Sequence, residues 1–156
     1  MATMNDGDHG HPKSTAKIGG HPIHPMLVPF PIVCFILVLL CDIRIAQGHT
    51  ALAAATNWLL IIGLVMGALA AAAGLTDFLG EKRIQGSDAV QHMLANVTVV
   101  VLEVVNLVLR LRSADSIAST GLYISIVVVL ILLYSGWKGG ELVFKHGVGV
   151  HDRSDR

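Results

Sequence analysis

The sequence predicts an all-α, polytopic membrane protein: four transmembrane helices in an up-down bundle. Three observations lead there. Of the 156 residues, 53% are hydrophobic and 14% charged, where a soluble domain carries about 25% charge. The mean hydropathy is +0.66. The apolar residues fall in four runs, each with the roughly 20 residues that a helix needs to cross about 30 Å of hydrocarbon. The same composition excludes a disordered chain, which needs high charge and few apolar residues. Eleven Lys and Arg balance eleven Asp and Glu, so the net charge carries no nucleic-acid footprint. Cys34 and Cys41 share one face of one apolar run and cannot bridge, which leaves no disulfide framework.

In chain order, residues 1–20 are polar and Gly-rich, with no apolar signal-peptide core, and read as a disordered tail. Residues 21–137 form the membrane domain, with spans at about 25–46, 51–79, 89–111 and 117–137. Short connections between them imply antiparallel neighbours. Trp58 and Trp137 then fall in opposite interfacial belts. Residues 138–156 form a C-terminal tail that opens on a hinge-like Gly139-Gly140 pair, after which Leu142–Phe144 can return against the bundle. The side with both termini and the second loop carries Lys13, Lys17, Lys82, Arg83, Lys138, Lys145, Arg153 and Arg156. The opposite side carries Arg44, Arg110 and Arg112. The positive-inside rule therefore places both termini in the cytoplasm.

Eight histidines are present, and all but His49 fall on the side of the termini. Imidazole is the commonest metal ligand and exchanges protons near neutral pH. His9, His11 and His151 read as tail residues. His21, His24, His92 and His146 are the candidate haem or metal ligands, drawn to one pocket at the inward rim. Surface histidines at a headgroup boundary are the plainer alternative. His21-Pro-Ile-His-Pro-Met-Leu-Val-Pro-Phe-Pro31 packs four prolines into ten residues. Each pushes its predecessor out of the helical region, so regular helix is not expected before Pro29 or Pro31. Non-helical backbone at membrane depth must be buried in protein, which would carry His21 and His24 under the other helices.

On the third span, His92, Asn96, Glu103, Asn106 and Arg110 lie on one face, within an arc of about 80°. An ionisable Glu103 near mid-bilayer is costly unless paired, solvated or protonated, so this stripe must face inward. It suits a proton relay or the wall of a cofactor pocket; interhelical hydrogen bonding meets the same demand. On the second span Gly63, Gly67 and Gly74 form a small-residue face for close helix packing, against the third span or a second subunit. Asp77 at its inner end can stand behind a ligand histidine, as Asn96 can, or it can pair with Lys82 or Arg83.

His21-Pro-Ile-His-Pro25 with Leu27–Pro31, Gly74-Leu-Thr-Asp77, His92-Met-Leu-Ala-Asn96 and Gly140-Glu-Leu-Val-Phe-Lys-His-Gly-Val-Gly-Val150 resemble Domain of Unknown Function family 2231, a bacterial membrane family without an assigned activity. The resemblance covers most of residues 20–150. It implies a multi-pass protein of the bacterial inner (plasma) membrane. One departure is Pro29, where members often carry a further histidine. Relatives that carry Rieske or cytochrome c-like domains add an association with electron transfer.

Three functions are expected candidates. The first is a histidine-ligated protein holding haem b or a transition metal, serving membrane electron transfer with a redox partner protein. The second is a structural or accessory subunit without cofactor. The third is a proton or small-solute carrier using the Glu103 stripe. No nucleophile triad, P-loop or dinucleotide fingerprint is present, so independent enzymatic activity is not expected. A CxxCH motif is lacking, which excludes covalent c-type haem. The expected partners are the lipid bilayer and a redox protein, with a homodimer allowed by the glycine face.

Overall fold

A computed structural model describes residues 11–150. Five α-helices build it: α1 (Ile23–Leu27), α2 (Pro29–Ala46), α3 (Ala53–Gly80), α4 (Ser87–Arg112) and α5 (Leu122–Phe144). Four stretches are long and apolar enough to cross a membrane: Ile23–Ala46, Thr50–Gly80, Ser87–Arg112 and Ala114–Phe144. The four crossings run alternately up and down. α2 packs on α3 and α5, and α4 packs on the same two from the other side.

The proline-rich entry departs from expectation. A short helix, α1, forms ahead of Pro29. Pro25 sits in its first turn and Pro29 and Pro31 in the first turn of α2, where an N–H has no intrahelical partner to lose. Val28 N–H still donates to His24 O at 3.1 Å, which ties the two pieces together.

The C-terminal end departs too. α5 does not hinge at Gly139-Gly140 but continues to Phe144. A glycine within a helix costs only about 1 kcal/mol, and here it has a packing reason. A Cβ at Gly139 would stand 3.1 Å from His92 Cε1. The turn comes later, where Gly147 and Gly149 adopt φ of +67° and +76°. Gly147 N–H donates to Val143 O and Val148 N–H to Leu142 O, closing the helix end, and Gly149 N–H reaches Pro12 O at 3.0 Å.

The expected disordered tail is ordered where it is described. Strands β1 (Lys17–Ile18) and β2 (His21–Pro22) pair antiparallel, joined by Gly19 and Gly20 at φ +57° and +84°, the backbone a two-residue hairpin requires. Ser14 is buried. Its order comes from hydrogen bonds to Asp77, set out below. Residues 1–10 and 151–156, with His9 and His151, lie outside the described residues.

Across the middle of the bundle, Phe35 and Val38 of α2, Leu60 of α3, Val99 of α4, and Val128 and Leu132 of α5 form a buried apolar layer. The outward faces are equally apolar: Val33, Leu40, Val65, Val101 and Leu130 are exposed, which water would penalise and lipid does not. Trp58 and Trp137 are both exposed, one near the start of α3 and one near the end of α5. The apolar layer separates two polar sites, one at each end.

Candidate functional site

The first site lies on the side of the termini. α1 carries His24 and the opening turns of α4 carry His92, and their rings stand 6.1 Å apart between centroids with planes at 90°. His24 Nδ1 is 2.7 Å from Ala70 O. His92 Nδ1 is 2.9 Å from Ser135 O. A carbonyl only accepts, so both Nδ1 atoms carry a proton, and in a neutral ring Nε2 is then the nitrogen with the lone pair. Near His92, Asn96 Nδ2 donates to His92 O and to Ser135 Oγ, each at 2.8 Å. The same nitrogen stands 3.2 Å from His92 Nε2, a third acceptor that competes for its two hydrogens.

Two glycines make room for the rings. A Cβ at Gly74 would lie 2.9 Å from His24 Nδ1, and one at Gly139 would meet His92. The glycine face therefore serves this chain's own first span. Gly63 admits the Phe35 ring, with 2.6 Å from a built Cβ to Phe35 Cε1, and Gly67 faces Pro31 at 3.7 Å and Val100 at 3.9 Å. Of the expected partners, the third span is met at Gly67, against Val100, and the first span takes the other contacts. Span one is reached by a short loop, and its proline-rich start and aromatic ring need the room.

The four candidate ligands do not converge. His21 sits on β2, exposed. His146 follows the end of α5 and stands 2.9 Å from Asp88 Oδ2, in a surface cluster where Lys138 bridges Asp88 at 3.0 Å and Glu141 at 2.7 Å. Among the described residues no group of three or more His, Cys, Asp or Glu is placed to hold a metal ion. The unbroken α5 explains it: without a hinge, His146 stays at the rim.

Asp77 neither backs a histidine nor pairs with Lys82 or Arg83. Its Oδ1 accepts from Ser14 Oγ (2.9 Å), Thr15 N–H (2.7 Å), Ala16 N–H (2.8 Å) and Thr15 Oγ1 (3.3 Å). Arg83 instead holds Glu81, with Nη2 at 2.9 Å, and keeps that carboxyl down at about 2.

The second site occupies the opposite half. Glu103, Asn106 and Arg110 are buried, as the stripe requires, and Asn96 and His92 extend it toward the first site. Arg110 forms a two-pronged ion pair with Asp42, both side chains wholly shielded. Thr56 of α3 and Ser125 of α5 donate to the same carboxylate at 2.9 and 2.7 Å. Sequence reasoning missed Asp42, Thr56, Ser125 and Ser135. The signal for Asp42 was present: an acid within a span demands a partner, and Arg110 was the available intramembrane cation. The hydroxyls gave no signal, because Ser and Thr occur on any face of a membrane helix.

A family model described as "Predicted membrane protein (DUF2231)" matches residues 20–152. No curated protein and no solved structure matches the chain.

Proposed function

The chain belongs to the family Predicted membrane protein (DUF2231), and from that premise we propose that it is a metal-binding membrane protein whose centre is the His24–His92 pair, serving electron transfer with a redox partner protein. The observation that carries this is the spacing and tautomer of the two rings. A metal–nitrogen bond of about 2.0–2.1 Å, plus roughly 1.1 Å from nitrogen to ring centre, puts two imidazoles on opposite sides of one ion at a separation of roughly 6.3 Å. The rings stand at 6.1 Å. Both donate Nδ1–H to a backbone carbonyl, which is how ligand histidines are oriented and made more basic. The donor set is neutral nitrogen, which suits copper, iron or nickel. A porphyrin iron fits the ring spacing as well, and either occupant needs Asn96 Nδ2 turned away from His92 Nε2. An ion that changes valence would supply one-electron exchange at the membrane face. The protein supplies the two nitrogens, their orientation and the apolar layer that closes off the far side.

The reading includes a bacterial inner membrane with both termini cytoplasmic. Support comes from the Lys and Arg count, sharpened by the burial of Arg110 with Asp42. That removes one cation from the opposite loops and leaves Arg44 and Arg112 there.

The test is metal analysis and an absorption spectrum of the full chain, purified after expression with haem and transition metals supplied. Stoichiometric metal or a Soret band is expected, lost in His24→Ala and His92→Ala and kept in His21→Ala and His146→Ala. A blank wild type, or loading indifferent to His24 and His92, overturns it.

A further inference from the structure

The second polar site is a closed hydrogen-bond network with one open end. Arg110 has five N–H donors, and each has an acceptor. Nη1 donates to Asp42 Oδ1 and Thr56 Oγ1, at 2.9 and 3.1 Å. Nη2 donates to Asp42 Oδ2 and to Ser125 Oγ, the latter at 3.2 Å. Nε donates to Asn106 Oδ1 at 2.8 Å. The two amide hydrogens of Asn106 go to Glu103 Oε2 at 2.9 Å and Ser125 Oγ at 3.2 Å. The hydroxyls of Thr56 and Ser125 donate to Asp42. Every donor is spent, and Arg110 and Asp42 neutralise one another.

Glu103 alone is left over. Its side chain is fully buried, Oε2 has a single neutral donor, and Oε1 has no partner among the described residues. Of the buried charged side chains among the described residues, only Asp42 from α2 and Arg110 from α4 share this end of the bundle with Glu103; α3 and α5 bring the hydroxyls of Thr56 and Ser125. An ionised Glu103 would therefore be an uncompensated charge inside the bilayer, with the Asp42 carboxylate in the same network. A neutral acid with one unmatched hydroxyl costs far less than such a charge.

We propose that Glu103 is a proton-binding site within the membrane: its carboxyl carries one exchangeable proton, taken from water, as the counter-charge that the closed Asp42–Arg110 pair does not supply. The site is independent of the histidine pair and stands whether or not a metal binds there.

The sequence makes a clean test available. It holds only three glutamates, Glu81, Glu103 and Glu141, and the other two face Arg83 and Lys138. The full chain, labelled with carboxyl-13C glutamate and placed in phosphatidylcholine vesicles, is read by infrared spectroscopy at neutral pH without added metal. The expected result is one labelled C=O stretch of a protonated acid. It should shift in D2O and be absent in Glu103→Gln of unchanged helical content. Should E103Q not fold, Glu81→Gln combined with Glu141→Gln removes the other two glutamates, and the acid band must survive. Labelled carboxylate bands alone, or an acid band that E103Q keeps, overturns the proposal. A carboxylate signal at Glu103 that follows added sodium overturns it in favour of a metal-cation site.

Discussion

Replacing Arg110 with methionine tests the central electrostatic bond of the bundle. Methionine keeps much of the side-chain length and removes all five donors. Asp42, wholly shielded, is left with the Thr56 and Ser125 hydroxyls. Breaking a buried ion pair from one side costs about 3–5 kcal/mol, because the survivor must stay charged in hydrocarbon or take up a proton. The membrane-embedded unfolded state recovers some hydrogen bonding, and single interhelical bonds there average about 0.6 kcal/mol. The two retained hydroxyl bonds offset a similar amount. A loss of about 3 kcal/mol is therefore expected, more than about 100-fold in the folded-to-unfolded ratio. Reversible unfolding in mixed detergent micelles, followed by far-ultraviolet circular dichroism, measures it. Asp42→Leu combined with Arg110→Met should cost less than Arg110→Met alone, since an apolar pair leaves no stranded charge. A loss below about 1 kcal/mol for the single change, or strict additivity in the double-mutant cycle, would refute the reasoning.

Other positions give independent checks. Gly63→Ala puts a Cβ 2.6 Å from the Phe35 ring and should cost about 1–3 kcal/mol as overpacking, partly recovered in combination with Phe35→Leu, by the same unfolding assay. Gly74→Val drives the His24 ring off Ala70 O; it should lower thermal stability and, under the metal reading, abolish loading while His92 is intact. Asp77→Ala removes the acceptor of Ser14, Thr15 and Ala16, so amide exchange at Thr15 and Ala16 should accelerate while exchange in α4 is unchanged. Glu81 titrates low because of its bonds to Arg83. Its folded-state value is depressed, so the contribution of this contact is complete above the ordinary value of 4.5 and disappears as pH falls through about 2. Arg83→Ala should bring the carboxyl midpoint up toward 4.5, read by carboxyl NMR.

Much of the architecture was legible from the residues alone, because hydrocarbon leaves the chain little choice. A run of apolar residues must satisfy its backbone internally and so becomes a helix. An ionisable stripe on such a helix must turn inward, which alone places Glu103, Asn106 and Arg110. Periodicity fixes a face of one helix. It does not say which residues of a second helix stand opposite, at what height, or in which rotamer. Hence the stripe identifies Arg110 but not its partner Asp42, and the one-sidedness of the four histidines does not reveal that only His24 and His92 meet. Gly139 could be read as a hinge or as a seat for a ring, and only the neighbour, His92, decides between them. The spans and their inward faces thus follow from local chemistry and the solvent. The ion pair, the imidazole pair and the unmatched oxygen of Glu103 follow from helix register, which is set by the sum of contacts across the bundle.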